Sequence, residues 1–208
     1  MQKCSPKLLS LDNLSSITSW MLKGILIALF IFSTFIGQFP LNITVLVAVF
    51  ISFSPVFVSR RYDIHFPRVV DVTITIALLL DIVGRVFKLY HTTDWWWWDI
   101  MTHMIGSITV SVLAFYLIFS LFIFKKIKIS YWMMGVFIFS FTMMIGSLWE
   151  VSEFYFDMFT GYNTFVNGAN SVRDMLFDAV GGAIVAMLGV CYTKHVVHKK
   201  NIFKRLFS

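Results

Sequence analysis

The chain has 208 residues, of which 58% are hydrophobic and only 13% charged, and it carries a formal net charge of +6 at pH 7. Soluble domains carry about 25% charged residues, so this composition excludes a separate soluble domain of useful size and describes a single membrane domain. The positive charge does not point to nucleic acid, because the bases fall in short segments beside apolar runs, where they set topology and meet anionic headgroups; membrane lipids are the expected partners.

Residues 1–19 are mixed in character, with no apolar stretch directly behind a basic start of the kind a cleaved leader has, and they read as a cytoplasmic N-terminal segment. A spanning helix needs roughly 20 mostly apolar residues, and six such spans follow within residues 20–192. Span 1 is Trp20–Gln38, closed by the turn Gly37-Gln38-Phe39-Pro40, and span 2 is Leu41–Val58. Span 3, Val69–Phe87, contains Asp71, Asp81 and Arg85. Span 4 is Asp94–Phe124, span 5 Tyr131–Phe159 and span 6 Val172–Tyr192. Residues 193–208 form a basic cytoplasmic tail. The run Trp95-Trp96-Trp97-Trp98 would point around a helix at the start of span 4, as an interfacial anchor or a stacking platform.

The bases give the orientation. With the N-terminus inside, Lys3, Lys7, Arg60, Arg61, Arg68, Lys125, Lys126, Lys128, Lys194, Lys199, Lys200, Lys204 and Arg205 are cytoplasmic. Only Arg85, Lys88 and Arg173 fall outside, and Lys23 lies within span 1. This bias predicts an all-α integral membrane protein with six transmembrane helices, N-in and C-in. Cys4 and Cys191 then both lie toward the cytoplasm, where a disulfide is not expected.

The acids gather at the other side. On span 4, Asp99 and His103 are four residues apart and share a helix face that continues through Gly106, Ser107 and Ser111. On span 5, Glu150, Glu153 and Asp157 share a face continuing through Gly146 and Thr142. On span 6, Asp174 and Asp178 lead into Gly182, Ala186 and Gly189. Small residues let helix backbones approach in lipid, so the three stripes are expected to face one another. That gathers Asp99, His103, Glu150, Glu153, Asp174 and Asp178, with His103, Glu150 and Asp178 forming the deeper layer.

Simpler roles compete at several of these positions. Ser171-Val-Arg-Asp174 fits a capping box, Asp94 a helix cap, Asp157 a solvated helix end, and Asp81 with Arg85 a structural ion pair. His103, Glu150 and Asp178 have no such account, and ionisable groups within a span are functional by default. His65, His91, His195 and His198 receive no role.

Crowded carboxylates in a poorly hydrated pocket must either hold protons or bind a cation. Oxygen ligands with one imidazole suit a divalent metal such as Zn, Mn, Fe or Mg. Arg85 or Arg173 at the rim would add recognition of a phosphate-bearing headgroup. The chain contains no G-x-S-x-G or H-E-x-x-H, and no catalytic residue is assigned.

Asp99-Ile-Met-Thr-His103, Trp149-Glu150-Val-Ser-Glu153-Phe154 and Asp174-Met-Leu-Phe-Asp178 with Gly181-Gly182-Ala183 resemble the YjdF-like inner-membrane proteins, in order over residues 94–190. A looser likeness extends to VanZ-like proteins, linked to glycopeptide-antibiotic resistance. Met104 stands where the family has an aromatic after the histidine, and Glu153 where the VanZ-like helix has Gln. The resemblance implies a multi-pass protein of a bacterial cytoplasmic (inner) membrane. Three readings follow. In the leading one, the outer-leaflet site binds a divalent cation, a lipid or cell-envelope headgroup, or both, as in a metal-dependent hydrolase or transferase. In the others the chain is a proton-coupled transporter, or the noncatalytic envelope or resistance factor implied by the VanZ likeness.

Overall fold

Apolar runs broken by Gly, Pro and short basic segments dictate where helices stop. In the computed structural model the chain folds as six α-helices and two 3-10 turns, with no strand among the described residues. The backbone is described for residues 6–37, 39–62, 67–161 and 167–206, and side chains for 17–37, 39–61, 67–90, 92–161 and 167–198. The expectations for Gln38, Lys3, Cys4 and His65 lie outside the described residues, as do the side chains of Lys7, His91, Lys199, Lys200, Lys204 and Arg205.

The helices are α1 (Pro6–Ile36), α2 (Phe39–Tyr62), α3 (Arg68–Val86), α4 (Trp97–Ile123), α5 (Tyr131–Thr160) and α6 (Gly168–Leu206). They follow the six expected spans in order, with different ends. α1 begins before Trp20, and α6 continues through the basic tail as one helix of 39 residues. At about 1.5 Å per residue it is about 58 Å long, nearly twice the hydrocarbon thickness.

Span 4 matches the apolar segment Thr93–Ile123, but its start is not one continuous α-helix. Asp94 and Trp95 lie in a 3-10 turn, Thr93–Trp95, and α4 starts only at Trp97. The four tryptophans therefore do not spiral around one helix. Instead Trp95, Trp97 and Trp98 cluster, with ring centroids 5.3–5.9 Å apart, because the turn folds Trp95 back over the first turn of α4.

Among the described residues, five helical segments are long and apolar enough to cross a membrane: Ile17–Ile36, Phe39–Arg61, Thr93–Ile123, Tyr131–Thr160 and Gly168–His198. α3 is not among them. It is 19 residues long and carries Arg68, Asp71, Asp81 and Arg85.

The chain divides into two compact units, residues 1–102 and 103–208, with the boundary inside α4. In the first, α1, α2 and α3 pack on one another around Leu26, Leu41, Val45, Ala48, Val70 and Ile82. The charges of α3 are absorbed within this unit. Lys23 of α1 is 1% exposed, and its Nζ donates to Asp71 Oδ1 at 2.7 Å, Ser19 Oγ at 2.7 Å and Thr75 Oγ1 at 3.3 Å. Ser19 Oγ donates to the other carboxylate oxygen of Asp71. The Phe53 ring of α2 lies 5.9 Å from the same ammonium. All three helices thus converge on one buried cation.

Near the other end of α3, Arg85 Nε donates to both oxygens of Asp81, at 3.1 and 3.0 Å. Tyr90 Oη donates to Asp81 Oδ1 at 3.0 Å, and reaches Thr102 Oγ1 at 3.3 Å. Burial, and then the Asp81 charge, hold the Tyr90 phenol well above its usual range, so it stays a donor.

In the second unit, α5 and α6 pack against each other and α4 joins them around Ala114, Ile118, Met134, Ile138, Val185 and Ala186. Small residues form the joints. Ser111 and Thr142 share a hydrogen bond at 2.6 Å, and Gly182 lies against Thr142.

Replacing Lys23 with Met strips Asp71 of its buried cation. The expected loss of stability is about 3–5 kcal/mol, seen as a lowered midpoint of unfolding in detergent. The double variant Lys23→Met/Asp71→Leu should recover most of it. An unchanged midpoint for Lys23→Met would show that the pair contributes nothing.

Candidate functional site

Three helices of the second unit each deliver an ionisable side chain to one place, and helical periodicity decides which. Asp174 and Asp178 are one turn apart on α6, buried at 1% and 3% exposure, and Glu150 of α5 is 7% exposed. His103 of α4 sits among them. Its Nε2 lies 3.6 Å from Glu150 Oε1 and 3.9 Å from Asp174 Oδ2, and its Nδ1 lies 3.5 Å from Asp178 Oδ1. Both nitrogens of one imidazole therefore face carboxylates, at distances beyond a direct hydrogen bond.

Two glycines make the convergence possible. A Cβ at Gly146 would collide with the Asp178 carboxylate, and one at Gly181 with Ser107 Oγ. Without these side chains, α5 and α4 each close onto α6 at the level of the site. Gly106, expected in the same small-residue stripe, has nothing within 4 Å of where its Cβ would stand, so it is not part of the joint. Asp178 Oδ2, packed against Gly146, is buried with no hydrogen-bond partner among the described residues.

Arg173 supplies a cation at the edge. Its Nε and Nη2 donate to Asp174 Oδ1 at 3.1 and 3.0 Å, while its side chain remains 37% exposed. Asn170, one turn earlier on α6, donates its amide to the other Asp174 oxygen. The capping-box expectation for Asp174 is overturned by this geometry. α6 already begins at Gly168, and the Asn167 side chain accepts from the Asn170 backbone N–H at 3.0 Å, so the cap is Asn167 and Asp174 lies a full turn inside the helix.

The remaining candidates fall as follows. Asp99 is half-buried one turn before His103 on α4, and Glu153 is half-buried three residues beyond Glu150 on α5. Asp157 lies in the last turn of α5, where its carbonyl accepts from Gly161 N at 2.8 Å. Arg85 is engaged by Asp81 in the first unit. Reading by spacing missed Asn170, although its position four residues before Asp174 on one helix was a usable signal.

Charge bookkeeping bounds the chemistry. Three carboxylates surround His103 and one guanidinium is paired with them; counted as ionised, they leave about two negative charges in a low-dielectric setting. Protonating the imidazole would offset one of them; a divalent cation would offset both.

These helices define an all-α, multi-pass membrane protein. A family model of predicted membrane proteins, DUF2238, matches residues 18–195, and the chain belongs to that family, the YjdF-like one its motifs resemble. The likeness to VanZ-like proteins is not carried by this match. Comparison with curated proteins and with solved structures gave no match.

Gly146→Ala should drive a methyl group into the Asp178 carboxylate and cost about 1–3 kcal/mol. Gly106→Ala, where the space is open, should leave the melting midpoint of the detergent-purified protein near that of the wild type. Equal midpoints for the two variants would contradict the close α5–α6 approach at the site.

Proposed function

We propose that the chain crosses a bacterial cytoplasmic membrane six times, with both termini inside. In this reading it holds a divalent cation at an outer-leaflet site built on His103, and this cation, with Arg173, takes a phosphate-bearing lipid or envelope headgroup. The observation that carries the reading is the imidazole flanked on both nitrogens by carboxylates from two other helices.

Nε2 with Glu150 and Asp174 forms the inner ligand set. Bonds of about 2.0–2.2 Å to one metal hold ligand atoms about 3.0–3.5 Å apart; Nε2 stands 3.6 and 3.9 Å from the two carboxylates, which would draw inward on binding the metal. Asp178 is the partner of Nδ1–H, which fixes the tautomer and turns Nε2 toward the metal. Glu153, a turn further out on α5, completes the ligand set, and water takes any open position. A metal-bound water beside a phosphate held by Arg173 suits hydrolysis or group transfer at a headgroup.

The sixth crossing is α3. Taken alone it is too polar, but Asp71 is neutralised by Lys23, and Asp81 by Arg85. Paired charges facing the protein interior are the form in which spans tolerate them. The orientation follows from thirteen of the seventeen Lys and Arg falling on the N-terminal side of this alternation.

Metal analysis of protein purified after Zn or Mn supplementation tests the reading. Wild type should carry close to one equivalent, with His103→Ala and Glu150→Gln losing it. Asp178→Asn should keep the stoichiometry and weaken affinity roughly 10–100-fold. A metal-free wild type with no thermal shift on adding Zn, Mn or Mg would sink the cation site; a proton relay through His103 would then lead, shown by uptake driven by a pH gradient in proteoliposomes.

A further inference from the structure

The second unit has a basic end as well as an acidic one. Tyr131 opens α5 nineteen residues before Glu150, and Lys194 follows Asp178 by sixteen on α6. By helical rise these ends are separated by about 24–28 Å, close to the hydrocarbon thickness of a bilayer. At the basic end lies a shallow cavity, mostly open to the surface, lined by Tyr131, Lys194, His195, Val197 and His198. The Lys194 ammonium stands 5.8 Å from the centre of the Tyr131 ring, which steadies it at the cavity wall. Lys125, Lys126 and Lys128 are exposed in the segment leading into α5.

No side-chain carboxylate can answer these bases from within the unit. The sequence has no Asp or Glu between Asp99 and Glu150, and none after Asp178. An ordinary surface interleaves both signs; the side chains at this end of the unit carry one sign only. Exposed aromatic side chains mark the level. Phe124 and Trp132 flank the same segment at 75% and 78% exposure, as residues at a headgroup boundary do.

We propose that this cavity is a binding site for the phosphate of an anionic phospholipid. The phosphate sits among Lys194, His195 and His198, and the acyl chains run along the exposed apolar surface beginning at Trp132. Clusters of basic side chains beside the end of a span are suited to such headgroups. The site is distinct from the one at His103. It borrows from the proposed topology only the leaflet, which would be the cytoplasmic one.

Native mass spectrometry of the full chain in detergent, titrated with phosphatidylglycerol or with phosphatidylcholine of the same chains, tests the proposal. Wild type should retain phosphatidylglycerol preferentially. Lys194→Gln/His195→Gln/His198→Gln should cut that preference roughly tenfold, and Lys194→Glu alone should cut it too. Arg60→Gln/Arg61→Gln, which removes bases from α2 instead, should leave it intact. A wild-type preference surviving in both cavity variants overturns the proposal, as does an equal loss in the α2 variant, which would mean charge without a site. Displacement of the lipid by an equal concentration of inorganic phosphate also overturns it, since the site would then read free phosphate. A C-terminal reporter fusion reads the leaflet separately.

Discussion

A charge inside an apolar bundle has no water to answer it, and every ionisable group there must be neutralised by something the protein or its surroundings supply. The first unit meets this demand internally. Lys23 is enclosed by Asp71, Ser19 and Thr75, and Asp81 holds Arg85 and the Tyr90 hydroxyl. Because Lys23 is on α1 and Asp71 on α3, with Phe53 of α2 beside the ammonium, one ion pair also fixes how three helices meet. The pair costs desolvation that a Met–Leu pair would not, and it is better understood as specifying the packing than as adding stability.

The second unit meets the same demand only in part. Its acids lie toward one end and its bases toward the other, with a neutral joint of Ser107, Ser111, Thr142 and glycines between them. Arg173 offsets one carboxylate at the acidic end, and the sequence at the basic end of this unit contains no Asp or Glu. The two ends therefore carry excess charge of opposite sign. The proposed cation at His103 and the proposed lipid phosphate at Lys194 are two consequences of one asymmetry.

Much of this was legible in the sequence, for reasons that differ by element. The helices follow from long apolar runs, and the convergence of His103, Glu150 and Asp178 follows from spacings of three and four residues on helices that enter at one depth. Helix ends were less legible. α1 and α6 continue past the apolar stretch because nothing in Pro6–Ser19 or Thr193–Leu206 breaks a helix. α4 starts late because the Trp cluster is built by a 3-10 turn that hydropathy does not detect. The Lys23–Asp71 pair was missed because its partners are 48 residues apart, and periodicity relates only residues on one helix. The capping box competed as a role for Asp174 because the true start, Gly168 behind Asn167, carries a weaker sequence signal than Ser171-Val-Arg-Asp174. Gly106 shared a stripe with Ser107 yet packs against nothing, since a stripe fixes a face but not which of its residues meets the neighbour.

The central claim is that the excess negative charge around His103 is neutralised by a bound cation. Anomalous diffraction at the Mn or Zn edge, from crystals of the full chain grown with that metal, tests it most directly. The account predicts one strong peak about 2.0–2.2 Å from His103 Nε2 and from an oxygen of Glu150 and of Asp174, with Asp178 hydrogen-bonded to Nδ1. An empty position there, with the imidazole hydrogen-bonded directly to the carboxylates on both sides, would mean that protons balance the charge, and would contradict it.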